Sequence, residues 1–234
     1  MYLCTNNFRA AGLSALLTIM LSLTSAAIAN DAPKAGVTPA TALNRLVAGN
    51  QRFASGKMTR PNDDPARIKS LASGQAPFVT VLSCSDSRVP PELVFDQGLG
   101  DVFTVRVAGN IADAAAIGSI EYAAAHLGSS LIIVMGHEKC GAVTGALDAK
   151  NGKKDSIPGI AALLDSIVPA YDSVNANLGR DAQVHAGIEA NVLQTVAKLK
   201  ELPELKSVMV SRGIWILGAI YDVSTGKVRF LKTP

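Results

Sequence analysis

The sequence predicts an α/β fold with a central, mainly parallel β-sheet, of about four parallel strands plus an antiparallel C-terminal edge strand, flanked by helices. Three compact apolar runs at residues 78–83, 102–107 and 131–135 are typical of strands that are covered on both faces. Helical patterns lie between the runs, and such alternation indicates βαβ units. With 234 residues, 48% of them hydrophobic, the chain can build one globular core.

Local signals predict the elements in order along the chain. Thr38 is an N-cap followed by Pro39 at the first helical position, and together they predict a helix that ends near Ser55 and Gly56. The other predicted elements are a loop at 61–65, a short helix up to 73–74, helices at 111–127 and 180–202, the second of which Pro203 stops, a surface insertion at 148–158, and a final strand pair at 214–221 and 227–231.

The N-terminal segment predicts export from the cytoplasm. Arg9 precedes an apolar stretch that closes with Ala27, Ile28 and Ala29, a small-residue pattern typical of signal-peptide cleavage. We therefore expect a signal peptide at 1–29, a polar leader at 30–37 and a single catalytic domain at 38–234 of an exported, periplasmic protein. An uncleaved membrane anchor is the alternative, because the stretch is nearly long enough to span a bilayer.

The charge pattern gives little support to nucleic-acid or membrane-surface binding. Loss of Arg9 with the signal peptide lowers the formal charge from +3 to +2, and the remaining basic residues are scattered. We expect a small-molecule substrate, no nucleic-acid partner and no stable membrane insertion after cleavage.

Two thiols remain in the predicted mature chain, because Cys4 leaves with the signal peptide. Two cysteines in an exported protein normally suggest a disulfide, so a disulfide-locked module is one interpretation of Cys84 and Cys140. Asp86 and Arg88 beside Cys84, and His137 beside Cys140, favour a metal site instead.

The predicted topology places these residues together. Cys84 follows the first strand and His137 follows the third, and the carboxyl ends of parallel strands share the edge where ligands bind. Cys140 lies three residues after His137, at a turn that enters a helix. Two thiolates and one imidazole suit Zn²⁺ and leave a fourth tetrahedral position for water, a carboxylate or a substrate, which is typical of catalytic zinc sites.

Asp86 and Arg88 are predicted to act as a pair beside the metal. Zinc lowers the pKa of bound water, and an ionised Asp86 held by Arg88 can orient the resulting hydroxide as a hydrogen-bond acceptor. Released from Arg88, the same carboxylate could become a fourth zinc ligand and close the site. A surface ion pair without function is the structural alternative.

Three segments together resemble the β-class carbonic anhydrases: Cys84-Ser85-Asp86-Ser87-Arg88-Val89-Pro90, Arg106-Val107-Ala108-Gly109-Asn110 and Gly136-His137-Glu138-Lys139-Cys140-Gly141. The resemblance extends over most of the mature chain. It implies zinc-dependent reversible hydration of carbon dioxide to bicarbonate and a proton by zinc-bound hydroxide, with one zinc ion per subunit held by Cys84, His137 and Cys140 and assisted by the Asp86–Arg88 dyad.

The resemblance also implies substrate-binding residues and an assembly. Gln75 matches the substrate-orienting amide of the family, and Phe103 and Tyr122 match residues that line its apolar pocket. The presence of Gln75 favours the plant-like subgroup, whose zinc position is open at neutral pH. The family's minimal unit is a dimer with the pocket at the interface, so we expect a homodimer or homotetramer.

Two other functions remain open at this point. Some relatives with the same zinc ligands hydrolyse carbonyl sulfide or carbon disulfide, and pocket shape cannot be inferred from these residues. The second alternative is a non-catalytic zinc-binding or disulfide-locked periplasmic module, in which Asp86 and Arg88 would be dispensable.

Overall fold

The computed structural model of the protein describes residues 36–232. Its helices within this range are α1 (Pro39–Ala54), α2 (Pro65–Leu71), α3 (Pro91–Val94), α4 (Ala114–His126), α5 (Gly141–Lys150), α6 (Pro158–Ile167), α7 (Arg180–Glu201) and α8 (Pro203–Arg212). Short 3₁₀ helices lie at Ala108–Asn110 and Val168–Ser173. The strands are β1 (Val79–Ser83), β2 (Val102–Arg106), β3 (Leu131–His137), β4 (Trp215–Tyr221) and β5 (Val228–Phe230).

The five strands form one sheet in the order β2-β1-β3-β4-β5. The first four run parallel, and β5 pairs antiparallel with β4 at the edge, which confirms the predicted fold class. Ser83 pairs with both Arg106 and Met135, so β1, β2 and β3 end close together. The chain order reverses between β1 and β3, and such a switch point is where open α/β sheets bind ligands.

The core surrounds the two central strands, because every residue of β1 and β3 is buried. Helix α4 packs against β1 and β2, while α7 packs against β3 and β4. Gly136 permits the close approach of α7: a Cβ there would lie 2.6 Å from Cγ2 of Val192. The tight packing between α7 and β3 therefore depends on the absence of a side chain at the penultimate residue of β3.

Several elements differ from the sequence prediction. The helix predicted at 111–127 begins later, because the Asp113 carboxylate caps α4 by accepting the N–H of Ala116 at 2.8 Å. Pro203 ends α7 as predicted, but it also begins α8, since proline suits the first helical position. The predicted insertion at 148–158 is shorter, because its first three residues belong to α5 and Pro158 begins α6.

Helix α1 packs on the chain's own core. Ala42 and Leu46 are fully buried, and Leu43 and Phe53 pack beside them. The Asn50 side chain, also buried, donates to the carbonyl of Gly226 at 2.8 Å and accepts the N–H of Val228 at the same distance. Helix α1 therefore buries its apolar side chains within the subunit.

The predicted signal peptide at 1–29 and nearly all of the predicted leader at 30–37 lie outside the described residues and stay predictions. Between residues 36 and 232, the structure contains no helix that is both long enough and apolar enough to cross a membrane.

Candidate metal centre and active site

The three predicted metal ligands meet at the switch point of the sheet. Cys84 directly follows β1, His137 is the last residue of β3, and Cys140 occupies the N-cap of α5. One ligand atom from each residue lies within 4.8 Å of the others, and all three side chains are buried. The convergence that the strand order predicts is therefore present.

The histidine is oriented as a metal ligand. Its Nδ1–H donates to the carbonyl oxygen of Glu138 at 2.9 Å, which leaves the lone pair on Nε2. Nε2 is buried and has no hydrogen-bond partner among residues 36–232. An imidazole whose outer nitrogen binds a carbonyl while its inner nitrogen stays unpaired is the arrangement that metal sites use. The S₂N donor set fits Zn²⁺.

Both thiols are free, so the structure gives no support to the disulfide-locked alternative. The Cys84 sulfur accepts the N–H of Gly109 at 3.3 Å and that of Asp86 at 3.4 Å. A hydrogen bond from Cys140 lowers the pKa of Cys84 well below its ordinary value, although burial opposes the shift. The same bond, together with burial, raises the pKa of Cys140. Zinc binds cysteine as the thiolate, so binding of the cation would release the protons that the two thiols still hold.

Asp86 and Arg88 form the predicted dyad. Arg88 donates from Nε to Oδ1 at 2.9 Å and from Nη2 to Oδ2 at 2.7 Å, and its backbone N–H also binds Oδ1 at 2.9 Å. These bonds hold the pKa of the Asp86 carboxyl far below its usual range. Oδ2 lies 3.9 Å from Nε2 of His137. An ionised hydrogen-bond acceptor therefore stands beside the metal ligands.

Sequence reasoning gave no role to two residues that hold this loop. Arg106, the last residue of β2, donates from Nε to the Cys84 carbonyl at 3.1 Å and from Nη2 to the Asp86 carbonyl at 2.5 Å. Lys139 has a left-handed backbone with φ of 58°, and its carbonyl accepts from Arg88 at 3.5 Å. The position of Arg106 at a strand end, the signal used for Cys84, could have identified it.

The predicted substrate-binding residues do not join the cluster within one subunit. Gln75 is exposed and precedes the amino end of β1, whereas Cys84 follows its carboxyl end. Phe103 is half-buried and is the second residue of the edge strand β2, near the amino end of that strand. Tyr122 is 50% exposed on α4 and packs against His126, with the two rings tilted by 43° and their centroids 5.3 Å apart. Their roles stay predictions.

Comparison with known proteins identifies the family. A family model described as carbonic anhydrase matches residues 79–228. Carbonic anhydrase 2 of Mycobacterium tuberculosis (strain CDC 1551 / Oshkosh) is 37% identical over 195 residues, covering 81% of this chain and 91% of that protein. A carbonic anhydrase of Mycolicibacterium smegmatis is 36% identical, with 81% and 92% covered.

Solved structures specify the class. The β-carbonic anhydrase CafA of Aspergillus fumigatus superposes with a TM-score of 0.67 at 30% identity, covering 81% of this chain and 90% of that one. A structure from a study of two tetrameric β-carbonic anhydrases of Sordaria macrospora gives 0.62 at 27% identity, with 81% and 96% covered. Combined with the Cys84, His137 and Cys140 cluster, these matches show that the chain belongs to the β-class carbonic anhydrases, which catalyse the zinc-dependent reversible hydration of carbon dioxide.

Proposed function

We propose that this carbonic anhydrase keeps the fourth position of its metal centre open at neutral pH, shares its pocket between two subunits and acts after export. The observation that carries the first part is the engagement of both Asp86 oxygens by Arg88. A carboxylate bound in this way stays directed at the guanidinium, so it is not free to become a fourth ligand.

The metal ligands, Asp86 and Arg106 have different roles in the hydration of carbon dioxide. Cys84, His137 and Cys140 would hold the zinc ion, which, when bound, would act as a Lewis acid and lower the pKa of a water molecule at the open position. The ionised Asp86 carboxylate can only accept a hydrogen bond, so it favours a proton-bearing group beside Oδ2 and orients the lone pairs of that group. Arg106 binds the backbone carbonyls of Cys84 and Asp86, and these two bonds fix the position of Asp86 relative to the metal ligands.

An anion-binding experiment tests the open position. Cobalt-substituted protein at pH 7 is titrated with thiocyanate, and we expect its visible absorption to change as the anion enters the free position. The matched variant Arg88→Gln removes the bidentate grip on Asp86, and we expect a weaker response because the carboxylate can then reach the metal. No response in the unsubstituted sequence at pH 7 would show that the position is already filled.

The position of Gln75 supports a shared pocket. All five residues of β1 lie between Gln75 and Cys84, and at about 3.3 Å per residue this strand alone spans roughly 16 Å. A Gln75 that orients the substrate must then come from a neighbouring subunit. The tetrameric assembly named for the Sordaria macrospora enzymes supports an oligomer built from such pairs.

Mixing two inactive variants tests the shared pocket. Gln75→Ala and Asp86→Asn are each expected to lower carbon dioxide hydration strongly. After dissociation and joint reassembly, a mixed dimer contains one pocket with both substitutions and one pocket with neither, so activity should return to part of the original value. Separately reassembled single variants serve as controls. If mass spectrometry demonstrates mixed dimers and no activity returns, Gln75 and Asp86 do not serve one pocket from two different subunits, and the shared pocket is contradicted.

The predicted signal peptide supports export to the periplasm. If residues 1–29 are removed during export, the mature protein begins at Asn30. Expression of the full chain in a Gram-negative host, followed by cell fractionation and N-terminal sequencing, measures both location and cleavage. Full-length protein retained in the cytoplasm would contradict this part of the proposal.

A further inference from the structure

We propose that Asn191 of α7 is a positioning residue for the metal centre, because it fixes the glycine whose N–H binds the sulfur of Cys84. Asn191 is 1% exposed, and its Nδ2 donates to the Gly109 carbonyl at 2.8 Å. The N–H of the same glycine donates to the Cys84 sulfur at 3.3 Å. The carbonyl of Gly109 is thus bound by helix α7, and its N–H is bound by a metal ligand.

Gly109 needs such an anchor because its backbone is permissive. Its φ of 67° lies in the left-handed region, which a residue with a side chain rarely adopts. A Cβ here would also lie 2.5 Å from Cδ1 of Ile167, so a larger residue would have to displace that side chain. A glycine has many accessible conformations, and the direction of its N–H is defined only if another group holds it. Asn191 supplies that constraint across 82 positions of sequence.

The direction of this N–H matters for the metal. A hydrogen bond to a thiolate sulfur withdraws electron density from it, so the sulfur donates less charge to a bound cation. The Cys84 sulfur receives two backbone N–H groups, from Gly109 and Asp86, and Gly109 is the one of these two residues whose carbonyl Asn191 holds. If the Gly109 contact loosens, we expect the sulfur to become a stronger donor and the ligand to become less well oriented.

The Asn191 side chain offers a clean perturbation. Its Oδ1 is buried and has no hydrogen-bond partner within the part of the chain that the structure describes, so the contact with Gly109 is the one that a substitution removes. Asn191→Leu is close to isosteric and cannot donate. Thr195 lies one helical turn further along α7, is also buried, and lines the same small cavity beside Ile111 and Ala112. Thr195→Val is therefore the matched control.

The experiment measures the metal rather than activity alone. The dissociation constant for zinc is determined by competition with a chelator, and the sulfur-to-metal charge-transfer band is recorded for the cobalt-substituted full chain. For Asn191→Leu we expect zinc binding to weaken by about tenfold or more and the band to move to longer wavelength. For Thr195→Val we expect neither change.

A purely structural role for Asn191 would lower the stability of the protein without moving the charge-transfer band. The proposal is overturned if folded Asn191→Leu keeps both the zinc affinity and the band of the original sequence, or if Thr195→Val changes them equally. Should Asn191→Leu fail to fold, Asn191→Ser is measured in the same way, because serine needs no new space and its shorter side chain stops short of the Gly109 carbonyl.

Discussion

Asp96 offers a stringent test of how buried charge stabilises this fold. Its carboxylate is 1% exposed and accepts the N–H and hydroxyl of Thr59 at 3.0 Å, the N–H of Arg60 at 2.9 Å and Nε of Arg52 at 2.5 Å. Burial alone raises the pKa of Asp96, but these hydrogen bonds outweigh it and lower the pKa to about 2. We predict that Asp96→Asn destabilises the protein in a pH-dependent way.

The magnitude follows from the pKa change. A fall from about 3.9 in the unfolded chain to about 2 in the folded protein is worth about 2.5 kcal/mol at pH 7. Because the folded pKa is depressed, this stability is present above about pH 4 and is lost as the pH falls towards 2. At pH 3 about 1.3 kcal/mol remains by the same relation. Asparagine stands in for the protonated acid, and it tolerates the φ of 45° at this position.

Chemical denaturation of both proteins at pH 7 and at pH 3 measures the difference in the free energy of unfolding. We expect Asp96→Asn to cost about 2 to 3 kcal/mol at pH 7 and about half as much at pH 3. Comparison at equal pH cancels the effect of metal loss in acid. Asp63→Asn, on an exposed loop residue, is the control and should change little. A cost that is the same at both pH values would refute the reasoning, because it would not come from the charge.

Three further predictions concern the metal and the core. Cys140→Ser should lose zinc on dialysis against a chelator, measured by elemental analysis, because the site keeps only two strong ligands; stoichiometric zinc would contradict the assigned ligand set. Gly136→Ala should destabilise the protein by about 1 to 3 kcal/mol in thermal or chemical unfolding, because its Cβ meets Val192, and adding Val192→Ala should restore part of that loss; two costs that simply add would show that the residues do not touch. Tyr171→Phe should cost about 1 kcal/mol in unfolding, since its buried hydroxyl donates to the Val143 carbonyl at 2.9 Å; an unchanged free energy would mean that this bond contributes nothing.

The sheet could be predicted because its signals are local and strong. Strands β1 and β3 are buried on both faces, so their sequences are mostly apolar, with Thr80 and Ser83 as buried polar exceptions in β1. Helices α6 and α8 were missed, although each begins at a proline, as α1 does. The difference is the N-cap: Thr38 caps α1 with its side chain, whereas Ile157 and Leu202 precede the other two and offer no capping group.

The metal ligands were predictable because cysteine and histidine at strand ends carry recognisable chemistry. The supporting contacts were not, because they depend on backbone groups. Gly109 binds Cys84 through its N–H, and Asn191 reaches Gly109 from a helix 82 residues away. Nothing about an asparagine in a helix predicts which carbonyl it will meet. In the shared pocket proposed above, Gln75 would act from a neighbouring subunit, and contacts between subunits leave no pattern in the sequence of one chain.

Arg106 grips main-chain oxygens rather than side chains, and this has a practical consequence for engineering. Because the guanidinium binds the carbonyls of Cys84 and Asp86, these two contacts do not use the side chains of Ser85 and Ser87. Ser85 and Ser87 are both exposed. Libraries that vary these two positions can therefore change the surface beside the catalytic centre while keeping the contacts that Arg106 makes with the loop.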